Sequence, residues 1–211
     1  CITYDHRSFG KSTHQSGDHR ALFPKDLEDL LNHLKIERAF LIAQSMGGFS
    51  CLPFAVKHPE RVIKLVMADT FGGIAEGKLL DEIREFRKNN IDPLTKKEIR
   101  RPLGSRFLEQ NASGTFLYQE ISALNPPRDP AMAQIPEAGD GIMEKDLASF
   151  RVPTLYIVGE EDALVSPKII DMAHRITPGS KIEIVPDAGH SVYFEKPELF
   201  NSIVSKFFLQ N

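Results

Sequence analysis

The chain has no tryptophan, only two cysteines, no long apolar run and no marked excess of charge of either sign. Each shortage excludes a class of protein. Cys1 and Cys51 supply neither a disulfide framework nor a cysteine zinc site, and a reducing compartment is compatible with them. No stretch approaches the ~18 consecutive apolar residues of a membrane-spanning helix. A formal net charge of -3 and a pI near 6.2 give no basic surface for nucleic acid or an anionic membrane, so neither is expected as a partner. Internal repeats and low-complexity segments are also missing. What remains is an ordinary globular composition, 41% hydrophobic and 26% charged over 211 residues, enough for one α/β domain with an insertion. The sequence starts Cys1-Ile2-Thr3-Tyr4, at the beginning of what reads as a strand, so a trimmed N-terminus is expected. A cytoplasmic protein is the expectation, with a leader upstream left open.

Against that background one stretch stands out. Ala39-Phe40-Leu41-Ile42-Ala43 is an apolar run that stops at Gln44-Ser45 and continues as Met46-Gly47-Gly48. The pattern reads as a strand, a very tight turn and a helix start, with Ser45 at the tip and small residues Ala43 and Gly47 two positions to either side. Such a turn pushes one hydroxyl out of the surface.

The flanking chain supplies the alternation that a parallel sheet needs. Ile2–Tyr4 is a short strand candidate, followed by the polar loop Asp5–Ser12; Leu27, Leu30, Leu31 and Leu34 mark a helix after Pro24; Val62–Ala68 reads as a strand covered on both faces. Strand and helix then alternate again from Thr154: Thr154–Val158, Pro167–Ile176, Lys181–Val185 and Pro197–Leu209. Between Phe71 and Arg151 the pattern is helical only, with helices expected over 79–89, 96–110 and 113–124 and a loop-rich exit through Pro126, Pro127, Pro130 and Pro136. The expected organisation is a core of residues 1–70 and 151–211 with a helical cap insertion over 71–150. Strands alternating with helices imply a mostly parallel sheet with right-handed crossovers.

Functional groups in such sheets gather at the carboxyl ends of the strands. Ser45 follows one strand end, Gly159-Glu160-Glu161-Asp162 a second and Asp187-Ala188-Gly189-His190 a third. A serine needs a base to take its proton, and the imidazole needs a carboxylate to fix its tautomer. Ser45, His190 and Asp162 provide these parts, and the Met46 N–H at the helix start is placed to meet an oxyanion. Asp69, at the end of the Val62–Ala68 strand, is the competing acid. The remaining histidines are scattered without metal-ligand spacing, so no metal is expected, and Cys51 reads as a packing residue. Lys96–Arg101 reads as a solvated helix face.

With these residues in order, the chain resembles the α/β-hydrolase family over nearly all its length. The nucleophile motif G-x-S-x-G is present as Ala43-Gln44-Ser45-Met46-Gly47, with Ala in the first position, and the order nucleophile, acid, base matches. Tyr4–Ser12, His58-Pro59-Glu60-Arg61-Val62 and Gly189-His190-Ser191 are further similarities. The resemblance implies an α/β-hydrolase sheet with a cap and a cofactor-free serine hydrolase. Its expected substrate is a small carboxylic ester or lactone, cleaved through an acyl-enzyme on Ser45. Phe71, Phe107, Phe116, Leu117 and Val165 are the candidate pocket residues. It also implies that the first three family strands precede Cys1, with the second oxyanion donor among them, and that a gap lies beside the Ser45 strand. Carbon–carbon bond hydrolases and cofactor-free haloperoxidases share the triad; the former commonly have a Trp soon after the histidine, where Ser191-Val192-Tyr193 stands here. A non-catalytic receptor on the same fold is the alternative of another class.

Overall fold

The computed structural model describes residues 1–13, 19–97, 99, 101–124 and 141–210. Four strands form one parallel sheet in the order β1 (Ala39–Gln44), β2 (Val62–Ala68), β3 (Thr154–Gly159) and β4 (Lys181–Val185). Every neighbouring pair is parallel, with Ile42 opposite Val66, Ala68 opposite Ile157 and Gly159 opposite Val185. Parallel pairing demands crossovers, and the helices supply them. These are α1 (Phe23–His33) before β1, α2 (Gly48–Lys57) between β1 and β2, and α7 (Pro167–Ile176) between β3 and β4, with α9 (Pro197–Leu209) after β4. The long connection from β2 to β3 holds α3 (Gly77–Asn89), α4 (Ser105–Gln110), α5 (Ala112–Ala123) and α6 (Glu144–Leu147), and the short α8 (Val192–Glu195) follows β4.

Alternation along each strand divides the core between the two faces. Leu65, Met67, Tyr156 and Val158 point into a cluster with α1, α2, α3 and α7, through Leu27, Leu52, Leu80 and Ile170. Val66, Ala68, Leu155 and Ile157 point the other way, onto Phe200, Val204 and Phe207 of α9. Buried apolar side chains of this kind contribute about 1.5–3 kcal/mol each, and both faces of β2 and β3 use them. This explains why those strands are continuous apolar runs. At β1 the second face is thinly covered: Phe40 and Ile42 are about half exposed, at 46% and 47%, although the Phe40 ring lies tilted against Phe208.

Two local expectations change and a third is not tested. Ile2–Tyr4 is not in a strand, because the described residues offer it no partner and β1 ends the sheet. The helix expected over 96–110 starts only at Ser105. Lys96 sits at φ 56°, and Pro102 and Gly104 follow, so a continuous helix cannot pass through. The loop-rich exit at Pro126, Pro127, Pro130 and Pro136 lies outside the described residues.

Candidate active site

At the end of β1 the backbone turns through Ser45 at φ 49°, a left-handed conformation that few residues other than glycine adopt. A single 3-10 turn, Ser45–Gly47, then feeds α2. The close approach that this turn requires falls at Gly48: a Cβ there would stand 2.2 Å from Thr70 Oγ1 and 3.0 Å from Gly72 Cα. Gly47 is roomier, with only the Ala43 methyl at 3.8 Å, so the small residue expected at 47 serves the turn less than its neighbour does. Met46 sits within the turn, between Ser45 and the helix.

The acid is positioned by its own loop. Asp162 follows β3, and its Oδ1 accepts from Leu164 N at 2.7 Å and Val165 N at 2.9 Å, a local turn that aims Oδ2 outward from the loop. That Oδ2 meets His190 Nδ1 at 2.8 Å, and His190 Nε2 lies 2.7 Å from Ser45 Oγ. A carboxylate only accepts, so Nδ1 holds the ring proton and Nε2 is left to accept from the hydroxyl. The chain Ser45–His190–Asp162 is therefore continuous, with His190 and Asp162 buried.

The loops that bear these groups are joined through their backbones. Glu160 N donates to Val185 O and Glu161 N to Ala188 O, at 2.9 and 2.8 Å. Gly159 allows this: a Cβ on it would stand 2.0 Å from Gly189 O. Gln44 Nε2 donates to His190 O at 2.9 Å, tying the end of β1 to the same loop. Asn90, at the end of α3, donates to Ala163 O at 2.7 Å.

Asp69 is fully buried beside the pair, at φ 51°. Its Oδ1 accepts from Gly159 N at 3.1 Å, while Oδ2 makes no close hydrogen bond among the described residues. It makes no hydrogen bond to His190, so the acid bonded to the imidazole is Asp162. Burial, and then the neighbouring Asp162 charge, push the Asp69 carboxyl well above the usual carboxylate range. Asp69, Asp162 and His190 could each offer one atom to a cation, all within 4.8 Å. Both histidine nitrogens are already engaged, which disfavours that use. Cys51 is buried and its thiol is pushed up to about 12, consistent with packing.

The expected pocket residues separate into two groups. Phe71 is buried and edges onto Phe49, one turn beyond Ser45 on α2; Val165 packs on the core beside Asp162; Phe107 is buried and edges onto Phe194. Phe116 and Leu117 stand on the open side of α5, 63% and 52% exposed. They depart from the expectation because α5 turns Tyr118 inward instead, onto Ser191 Oγ at 3.0 Å and against the Phe194 ring. Residue types alone do not say which side of a helix faces the site.

Glu195 is a further buried group of the site that was not among the expected residues. Its carboxylate is buried and accepts from the backbone amides of Gly104, Gly189 and Ser191. Burial raises its pKa, and the three amides offset that only in part. The one available signal was an acidic residue placed among Val192-Tyr193-Phe194 just after His190.

A family model described as "Alpha/beta hydrolase family" matches residues 1–203, and the chain belongs to that family. It is an enzyme of the hydrolase class that this fold and site define. Over 200 residues it is 32% identical to a putative 2-succinyl-6-hydroxy-2,4-cyclohexadiene-1-carboxylate synthase of Bacillus subtilis, covering 86% of this chain and 70% of that protein. It is 26% identical to an uncharacterized carboxylesterase of the same organism over 86% of this chain and 60% of the relative. Among solved structures, a thermophilic esterase from Thermogutta terrifontis matches with TM-score 0.71 and 24% identity, covering 95% of this chain and 76% of its own. A bromoperoxidase from Bacillus anthracis matches at 0.68 and 22%, covering 98% and 80%. At these identities the structural likeness speaks to the fold.

Proposed function

We propose that this chain hydrolyses a small carboxylic ester or lactone through an acyl-enzyme on Ser45. The observation that supports this most is the unbroken hydrogen-bonded line from Ser45 Oγ through His190 to Asp162. His190 Nε2 takes the hydroxyl proton as Oγ attacks the substrate carbonyl carbon. Asp162 holds the ring tautomer and stabilises the imidazolium that forms. The Met46 N–H, at the start of the α2 turn, donates to the developing oxyanion. Collapse expels the alcohol, which receives its proton from His190. Water then attacks the acyl-enzyme by the same route, His190 acting first as base and then as acid. No step calls for a cofactor.

The helices between β2 and β3 act as a cap over the carboxyl ends of the strands, with Phe71, Phe107 and Val165 forming apolar wall against the acyl group. The named relatives include a carboxylesterase, with which ester chemistry is in keeping, beside a putative synthase of higher identity. A fluorophosphonate probe tests the reading. The protein should form a covalent adduct that Ser45→Ala abolishes, and p-nitrophenyl esters or lactones should be turned over at a Ser45-dependent rate. A protein that binds such compounds without a Ser45 adduct would be a receptor on this fold.

A further inference from the structure

The imidazole of His190 holds two hydrogen bonds in opposite directions, 2.8 Å to Asp162 and 2.7 Å to Ser45. A small rotation of the backbone that bears it would lose one of them. Besides the Gln44 bond to His190 O and the Glu161 amide bond to Ala188 O, that backbone is held by one side chain on both flanks of the imidazole. Glu195 accepts from Gly189 N at 3.0 Å to each oxygen and from Ser191 N at 3.3 Å, so the residues on both sides of His190 are fixed to the same carboxylate. The return contact, Glu195 N to Ser191 O at 2.9 Å, closes the turn.

The same carboxylate reaches outside the loop. Its Oε2 accepts from Gly104 N at 2.9 Å, immediately before α4. Here two backbones touch directly: a Cβ on Gly189 would stand 2.2 Å from Gly104 N. Glu161 lies alongside, accepting from Arg106 N at 3.0 Å, so the loops bearing the acid and the base each send one glutamate to the start of α4. Glu195 is only 7% exposed, and its contacts are amides rather than a cation. A buried carboxylate held this way is expensive for the fold, where a neutral side chain of similar shape would cost less. Its geometry explains its presence: only a carboxylate offers enough acceptor sites for three converging N–H groups.

We infer that Glu195 is a positioning residue for His190 and couples the placement of the cap, through Gly104, to the orientation of the imidazole. This rests on the hydrolase reading for its rate consequence but not for its structural one. Glu195→Gln presents an NH2 where an N–H already points, so one amide loses its acceptor and the loop rotates.

The test uses the full chain as wild type, Ser45→Ala, Glu195→Gln, Glu195→Asp and Glu161→Gln. Fluorophosphonate labelling of the wild type against Ser45→Ala settles the hydrolase reading first. For Glu195→Gln, kcat on a p-nitrophenyl ester should fall about 10- to 100-fold, the scale of a small misplacement of a catalytic group. KM should stay within about threefold and Tm within about 5 °C. The low-field proton resonance of His190 Nδ1–H should shift or vanish. Glu161→Gln should keep both the rate and the resonance. A folded Glu195→Gln with wild-type kcat and an unmoved resonance overturns the inference. Should Glu195→Gln show no folding transition, Glu195→Asp decides: its shorter arm cannot span Gly104 and Gly189 together, so wild-type kcat in that variant also overturns it. If the wild type forms no Ser45 adduct, the hydrolase reading fails, and the resonance comparison alone decides the positioning role.

Discussion

Asp69 and Asp162 are neighbours in the interior with opposite assignments. Asp162 is bonded to His190 and to two backbone amides, whereas Asp69 accepts from Gly159 N and lies within the influence of the Val192 amide, with no bond to the imidazole. Two adjacent buried carboxylates cannot both ionise cheaply, and burial together with the Asp162 charge favours the protonated form of Asp69. The sign for stability follows. The folded-state pKa of Asp69 is raised, so the folded protein binds this proton more tightly than the unfolded chain does. Its stabilising contribution is full below the unfolded pKa, near the usual carboxylate value, and is lost as pH rises through the folded value. Asp69→Asn mimics the neutral acid. It should match the wild type in Tm at low pH, equal or exceed it at higher pH, and retain most esterase activity. Asp162→Asn should lower kcat by on the order of 10³–10⁴-fold. Thermal melts across pH, paired with rates, check both; an Asp69→Asn protein as inactive as Asp162→Asn would make Asp69 the working acid.

At the level of elements, the turn after β1 depends on one contact between the start of α2 and the end of β2. Gly48→Ala drives a methyl into Thr70, and overpacking of this kind costs about 1–3 kcal/mol. It should also misplace Ser45, lowering both Tm and rate. Gly47→Ala meets only open space and the Ala43 methyl, and should be nearly silent in the same two assays. Equal losses from the two variants would show that the turn, rather than the packing, demands glycine. This pair also shows where sequence reading succeeds and stops. Ser45, Asp162 and His190 were legible because each follows an apolar run whose β pattern is local. The helices α7 and α9 and strand β4 were legible for the same reason, with Pro167 and Pro197 marking the helix starts. Contacts between segments were not. That Gly48 rather than Gly47 meets Thr70, that α5 turns Tyr118 rather than Phe116 inward, and that Glu195 reaches Gly104 are set by how elements dock, and neither spacing nor residue type encodes them. The strand expected at Ile2–Tyr4 has the right composition and no partner among the described residues, since a strand is defined by its neighbour as much as by its own residues.

For the molecule as a whole, each strand pairs with the strand next in sequence, and the triad is distributed along that progression: Ser45 after β1, Asp162 after β3, His190 after β4. The residues meet across separations of 28 and 145 positions. Among the described residues, both groups in hydrogen-bonded line with Ser45 come from the second half of the chain. The spatial order of the sheet is thus also a schedule. In refolding from denaturant, β1, β2 and α2 can assemble a serine-bearing turn early, but its hydroxyl stays inert until β4 has docked and delivered His190, a long-range closure that is intrinsically slow. Reactivity toward a fluorophosphonate should therefore return in step with hydrogen-exchange protection of the Lys181–Val185 amides, and later than protection of α2. Labelling that recovers before β4 is protected would break this schedule. A nascent or partly unfolded copy in which β4 has not docked would lack the His190–Ser45 hydrogen bond, and on the proposed mechanism it would be chemically silent.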